Sequence, residues 1–76
     1  MKLQELLKES FGLKDSQYND DQSIVQLEHF DSMNHMVFIT NLEEGFNIEL
    51  TGDEIVNLMT IKDIKEILKV KGVTEF

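Results

Sequence analysis

The residues best suited to chemistry in this chain stand close together: His29, Asp31, Ser32 and His35. Asp31 has the character of a helix N-cap able to accept a backbone N–H bond from Met33 or Asn34, which sets Ser32 in the first turn of the helix that follows. Free backbone N–H groups and the positive dipole end stabilise negative charge there, so a serine in that place suits a phosphate ester. A Ser-His-Asp nucleophile would draw on the same residues. They are all local, however, and no glycine-rich oxyanion segment accompanies them, which argues against a hydrolase. Asp and Ser are also ordinary capping residues, so taken without context Asp31-Ser32-Met33 reads as a plain helix start. His35 lies one helical turn beyond Ser32, within approach of a phosphate carried there, while both histidines read equally well as solvated. Two histidines and scattered carboxylates make no metal motif. The cluster Asn19-Asp20-Asp21 lacks the alternating ligands and central glycine of an EF-hand loop, so no structural metal is expected.

The elements that must position Ser32 can be read from periodicity. Leu3, Leu6, Leu7 and Phe11 recur at helical spacing with Lys2, Glu5, Lys8 and Glu9 opposite, and Gly12 follows as a left-handed cap. From Leu13 to Phe30 the pattern loosens into a long connecting loop, in which only Ile24, Val25 and Leu27 look buried. Loops longer than about 12 to 15 residues are uncommon in compact domains and are often functional. The helix opened by Asp31 is expected to run to Glu44 and end at Gly45. Phe38, Ile39 and Leu42 share one of its sides with Phe46 beyond the end, and Met33, Met36, Val37 and Thr40 form a neighbouring stripe. Phe46, Ile48 and Leu50 alternate but have no partner strand, so they read as a loop. Thr51 and Glu54 form a capping-box pattern opening a short helix with Ile55, Leu58 and Met59 inward, and Thr60 with Asp63 repeats it. The last helix carries Ile61, Ile64, Ile67 and Leu68 on its apolar face and ends in Lys69 and Lys71 before Gly72. The fold class expected is all-α, a small four-helix bundle of three main helices and one short one, in a single domain over 1–76.

Composition sets bounds on function. The chain has 76 residues, 41% hydrophobic and 29% charged, without cysteine or proline, so it must fold around one modest core with no disulfide or thiolate metal site. Fifteen acidic residues against seven basic give a net charge of −8, which repels phosphate backbones and anionic headgroups, so nucleic acid is not expected as a partner. Basic protein surfaces would be attracted instead. No segment approaches the roughly 20 apolar residues that span a bilayer, and Met1-Lys2-Leu3-Gln4-Glu5 does not open a targeting signal. The expectation is a cytoplasmic monomer without membrane insertion.

Taken with its surroundings, Asp31-Ser32-Met33 carries more. That run, the apolar helix after it, Leu42-Glu43-Glu44 leading into Phe46-Asn47-Ile48-Glu49-Leu50, then Asp53-Glu54-Ile55 and Thr60-Ile61-Lys62-Asp63-Ile64, closely resembles the acyl carrier proteins. The resemblance covers nearly the whole chain and is strongest from Ser32 to Leu68. It implies a carrier that is not itself an enzyme. A 4'-phosphopantetheine from coenzyme A would be attached to Ser32, with Asp31 completing the motif, and would carry acyl groups as thioesters. It implies as partners a phosphopantetheinyl transferase and the acyl ligases, synthases or acyltransferases of a fatty-acid, polyketide or related pathway. Met33, Met36, Val37 and Thr40 would form the docking stripe, and Glu43, Glu44, Asp53 and Glu54 would add steering charge. Phe38, Leu42, Ile55 and Met59 would line a pocket able to sheathe an aliphatic chain.

The sequence also departs from the family pattern. Asn34 and Val37 stand where fatty-acid carriers usually have acidic residues, and His29 stands where glycine is common. Such a face favours apolar over charge-based docking and points to a specialised pathway with dedicated partners. Two other readings keep the same fold: an aminoacyl or peptidyl carrier, and an unmodified helical interaction module.

Overall fold

A computed structural model describes residues 2–76, so Met1, the first residue of the expected domain, lies outside the described residues. Helix α1 spans Leu3–Phe11 and turns its four apolar residues, Leu3, Leu6, Leu7 and Phe11, into the core. Gly12 ends it at φ +70°, its N–H donating to Lys8 O. A side chain is excluded there twice over, by the left-handed backbone and because an added Cβ would come within 2.5 Å of His29 Cδ2.

The crossing from α1 to the next helix is a loop with two 3₁₀ turns, Asp15–Gln17 and Ile24–Gln26, and it is anchored at both ends. Ile24 and Leu27 are buried as expected, whereas Val25 between them is half-exposed, because the turn rotates it away from its neighbours. Helix α2 follows as Ser32–Phe46. It passes through Gly45 where the sequence led us to expect an end, since Phe46 still packs against the core and Asn47 takes the left-handed position at φ 55°. Asn is one of the few residues besides glycine that tolerates that conformation. Both capping boxes are present. Helix α3, Gly52–Val56, is closed by Thr51 and Glu54, and helix α4, Ile61–Val70, by Thr60 and Asp63. Lys71 and Gly72 end α4.

Among the described residues there is no strand, and the one extended contact is an antiparallel bridge between Ser23 and Thr60. Through it the long loop supplies what the start of α4 lacks. The Ile61 N–H donates to Gln22 O (3.1 Å) and the Lys62 N–H to Asp20 O (3.1 Å), while the Ile24 N–H donates to Met59 O (3.0 Å). The Ile61 and Lys62 N–H groups are among the backbone donors that α4 leaves without partners at its start, and the Ile24 N–H is the loop's own donor in return. Asp20 also binds Lys65 Nζ at 2.8 Å, and Lys65 lies over the Tyr18 ring. The core is a single cluster of Leu and Ile around Phe11 and Phe38, whose ring centroids are 5.1 Å apart. The main helix-to-helix contact is between α1 and α2. No helix among the described residues is long and apolar enough to cross a membrane.

Two outcomes test these anchors. Gly12→Ala should lose about 1–2 kcal/mol or more, the cost of a side chain in left-handed backbone with the His29 ring displaced as well. Gly52→Ala, where an added Cβ meets nothing within 4 Å, should leave urea stability unchanged or slightly raised. The second outcome concerns pH. The Lys65 hydrogen bond holds the Asp20 carboxyl below its ordinary pKa, aided by the charges of Lys62 and Lys69. The Thr51 N–H, and after it Lys71, does the same for Glu54. Folded values below unfolded ones mean stabilisation present at neutral pH and lost as pH falls through the folded values. Urea midpoints should therefore decline on acidification, and less steeply in Glu54→Gln.

Candidate functional site

Ser32 is the first residue of α2 and is exposed. Asp31 before it has extended backbone, and its Oδ1 accepts from the Asn34 N–H at 2.7 Å, the cap expected from the sequence. The Asp31 carbonyl accepts the His35 N–H at 2.8 Å, so the helix is hydrogen-bonded from its first turn. The acidic side chain caps one donor, and the serine beside it remains open to solvent.

The approach to Ser32 is fixed from two sides. The His29 N–H donates to Phe11 O (3.1 Å), binding the loop to the end of α1, and the Phe30 N–H donates to Leu27 O (3.1 Å). Phe30 packs its ring at a tilt against Phe11, with centroids 5.4 Å apart, and against His35 at 5.5 Å, a chain of rings leading from the core to the first turn of α2. His35 thus serves as an aromatic neighbour of Phe30. His29 covers Gly12, which accounts for a bulky residue at that loop position.

On α2 the two apolar stripes separate. Phe38, Ile39 and Leu42 are buried, whereas Met33 is 76% exposed, Met36 57% and Val37 48%, with Thr40 also exposed on their side. Val25 adds a further exposed apolar residue that the sequence had placed inside. From Ser32 to Leu42 the helix bears no Asp, Glu, Lys or Arg.

The acidic residues divide. Glu44 and Asp53 are exposed, but Glu43 Oε2 accepts the Leu50 N–H at 2.8 Å, and Glu54 is held by Thr51 and by Lys71 Nζ at 3.0 Å. Two of the four carboxylates named for steering thus hold the fold together. Of the residues named for an acyl pocket, Phe38 and Leu42 are buried and Ile55 is half-buried. Met59 is a correction: its side chain is half-exposed, because its backbone is held flat against the long loop by the bond from Ile24. Among the described residues no group of three His, Cys, Asp or Glu is placed to hold a metal ion. Sequence reasoning missed Asn34, whose side-chain Nδ2 donates to His29 O at 2.7 Å.

Fold and site together define a class, a small helical carrier bundle with an accessible serine at the head of its second helix. Comparison with known proteins makes that specific. Residues 2–68 match the family model described as a phosphopantetheine attachment site, and the chain belongs to that family. It is 29% identical over 68 residues to the acyl carrier protein of Buchnera aphidicola subsp. Baizongia pistaciae, covering 90% of this chain and 87% of that one. It is 31% identical over 61 residues to that of Beutenbergia cavernae, covering 80% and 74%. To the acyl carrier protein of Myxococcus xanthus it is 26% identical over 66 residues, covering 87% and 84%. Acyl carrier proteins are carriers and not enzymes, and membership brings a covalently attached 4'-phosphopantetheine.

Asp31→Ala should remove the cap of α2 and lower stability by about 1 kcal/mol, read from urea unfolding.

Proposed function

We propose that this chain is, over 1–76, one acyl carrier domain whose acceptor is Ser32, and that it takes acyl intermediates from one partner enzyme to the next. The observation that carries the reading is Ser32 itself, exposed at the first position of an Asp-capped helix inside the matched region. The prosthetic group fits what stands there. A phosphodiester at that position lies near the positive end of a helix of about four turns, on a residue that is exposed. When attached, the group supplies the thiol that this cysteine-free chain lacks, and acyl groups ride on it as thioesters. Ser32 needs no general base of its own, because a separate transferase takes its proton.

Met33, Met36, Val37 and Thr40, beside the acceptor, form the docking face. Methionine adapts to differently shaped partners, and an apolar stripe on the solvent side of a helix has no role in this core. Glu44 and Asp53 contribute steering charge from its margin. With no Asp, Glu, Lys or Arg from Ser32 to Leu42, that face selects partners by apolar fit, which supports service in a specialised pathway with dedicated ligases or transferases. Phe38, Leu42 and Ile55 form the inner wall against which an aliphatic chain would be sheathed.

Intact mass after incubation with coenzyme A and a broad-specificity phosphopantetheinyl transferase tests the acceptor. One phosphopantetheinyl group should add to the parent protein and none to Ser32→Ala. No addition to the parent, with a control carrier modified in the same mixture, would leave the chain an unmodified interaction module of this fold.

A further inference from the structure

Among the described residues three α-helices begin at a side-chain cap, and two of them close in the usual way. In α3 and α4 an acid three residues after the cap turns back to accept N–H bonds: Glu54 from Thr51 at 2.8 Å, Asp63 from Thr60 at 3.1 Å and from Met59 at 3.0 Å. In α2 the equivalent position is Asn34, and its bond runs with the opposite polarity. Its backbone N–H is capped by Asp31 Oδ1 at 2.7 Å, while its side-chain amide reaches past the cap and donates to the His29 carbonyl at 2.7 Å. A carbonyl accepts only, so the partner must be a donor, which an ionised Asp or Glu is not.

The bond closes a loop of chain around the acceptor. His29 is tied backward to Phe11 O and forward to Asn34, so the segment His29–Asp31 is held between the end of α1 and the first turn of α2. We infer that Asn34 is a positioning residue for Ser32, fixing the entry of the chain into α2 so that the serine is presented to the transferase in one orientation. The inference rests on Ser32 being the acceptor. If the entry segment samples other conformations, apparent affinity for the transferase falls by the fraction of time the competent one is absent, and the chemical step on the bound carrier is unaffected.

The test is a set of initial rates of phosphopantetheinylation against carrier concentration, together with amide hydrogen exchange on the unmodified proteins. The variants are Asn34→Ala, Asn34→Asp and, as a control, Asn57→Ala, which breaks a comparable exposed bond from Asn57 Nδ2 to Asp53 O (2.9 Å) in α3. In Asn34→Ala the KM should rise with kcat unchanged, by at most about fivefold, the ceiling that one modest hydrogen bond sets. Exchange at His29 and Phe30 should quicken there and not in the control. Asn34→Asp, of the same shape but with no donor, should show the same rise at high salt, where its added charge is screened. A parent-like KM and parent-like exchange in Asn34→Ala would overturn the inference while leaving Ser32 as the acceptor. So would a parent-like Asn34→Asp at high salt, or an equal loss in Asn57→Ala. A parent protein that is never modified would remove the acceptor reading itself, and this one with it.

Discussion

The structure depends on three backbone hydrogen bonds by which residues 20–24 of the long loop cross residues 59–62 at the start of α4. A chain this short, without cysteine, has no covalent means of holding so long a connection, and a loose loop would carry the entry to α2 with it. The solution is economical in polar groups. The first N–H donors of α4 have no partners inside their own helix, and the loop carbonyls of Asp20 and Gln22 provide them. Each side satisfies the other, and Ile24 and Leu27 are thereby brought into the core. Asp20 and Lys65 add an ion pair at the margin, of the exposed kind that contributes little by itself.

With the loop fixed, α2 can be apolar on two faces. Phe38, Ile39 and Leu42 anchor it against α1, so its orientation does not depend on what its other face touches. An isolated helix carrying Met33, Met36 and Val37 opposite a second apolar stripe would have two ways to bury itself. Here Phe11 and Phe38 in contact settle the choice, because two aromatic rings bury more surface than the thioether side can offer. The stripe beside Ser32 is left to solvent by default of the core.

Much of this was legible in the sequence, and what was legible is local. The caps at Asp31, Thr51 and Thr60, the left-handed Gly12 and the apolar periods of α1 and α4 depend on residues within a turn of each other, so residue type and spacing define them. The exceptions each depend on something distant or on backbone atoms. Gly45 looked like a stop until Phe46 found the core and Asn47 proved able to take the left-handed position. Met59 and Val25 looked buried by type, but they lie on either side of the loop crossing, where backbone pairing decides which way a side chain points. Glu43 resembled a surface charge because its partner is the N–H of Leu50, and a backbone donor has no signature in the sequence. The bond from Asn34 to the His29 carbonyl was hidden for the same reason.

The three capped helix starts differ in where the capping carboxylate stands. At α3 and α4 the carboxylates of Glu54 and Asp63 fold back over the first turn, and a phosphodiester placed there would meet negative charge where the dipole should favour it. At α2 the corresponding group is the neutral amide of Asn34, drawn away toward His29, and the carboxylate of that start, Asp31, stands at the cap, one position before the helix, with its Oδ1 accepting the Asn34 N–H. Replacing that amide with the acid usual at the other two starts would add charge to the docking face and loosen the chain leading to the serine at the same time. The absence of Asp, Glu, Lys and Arg from Ser32 to Leu42 and the fixed entry to Ser32 thus meet at Asn34, and a partner selected by apolar fit would meet both at the same edge of the helix.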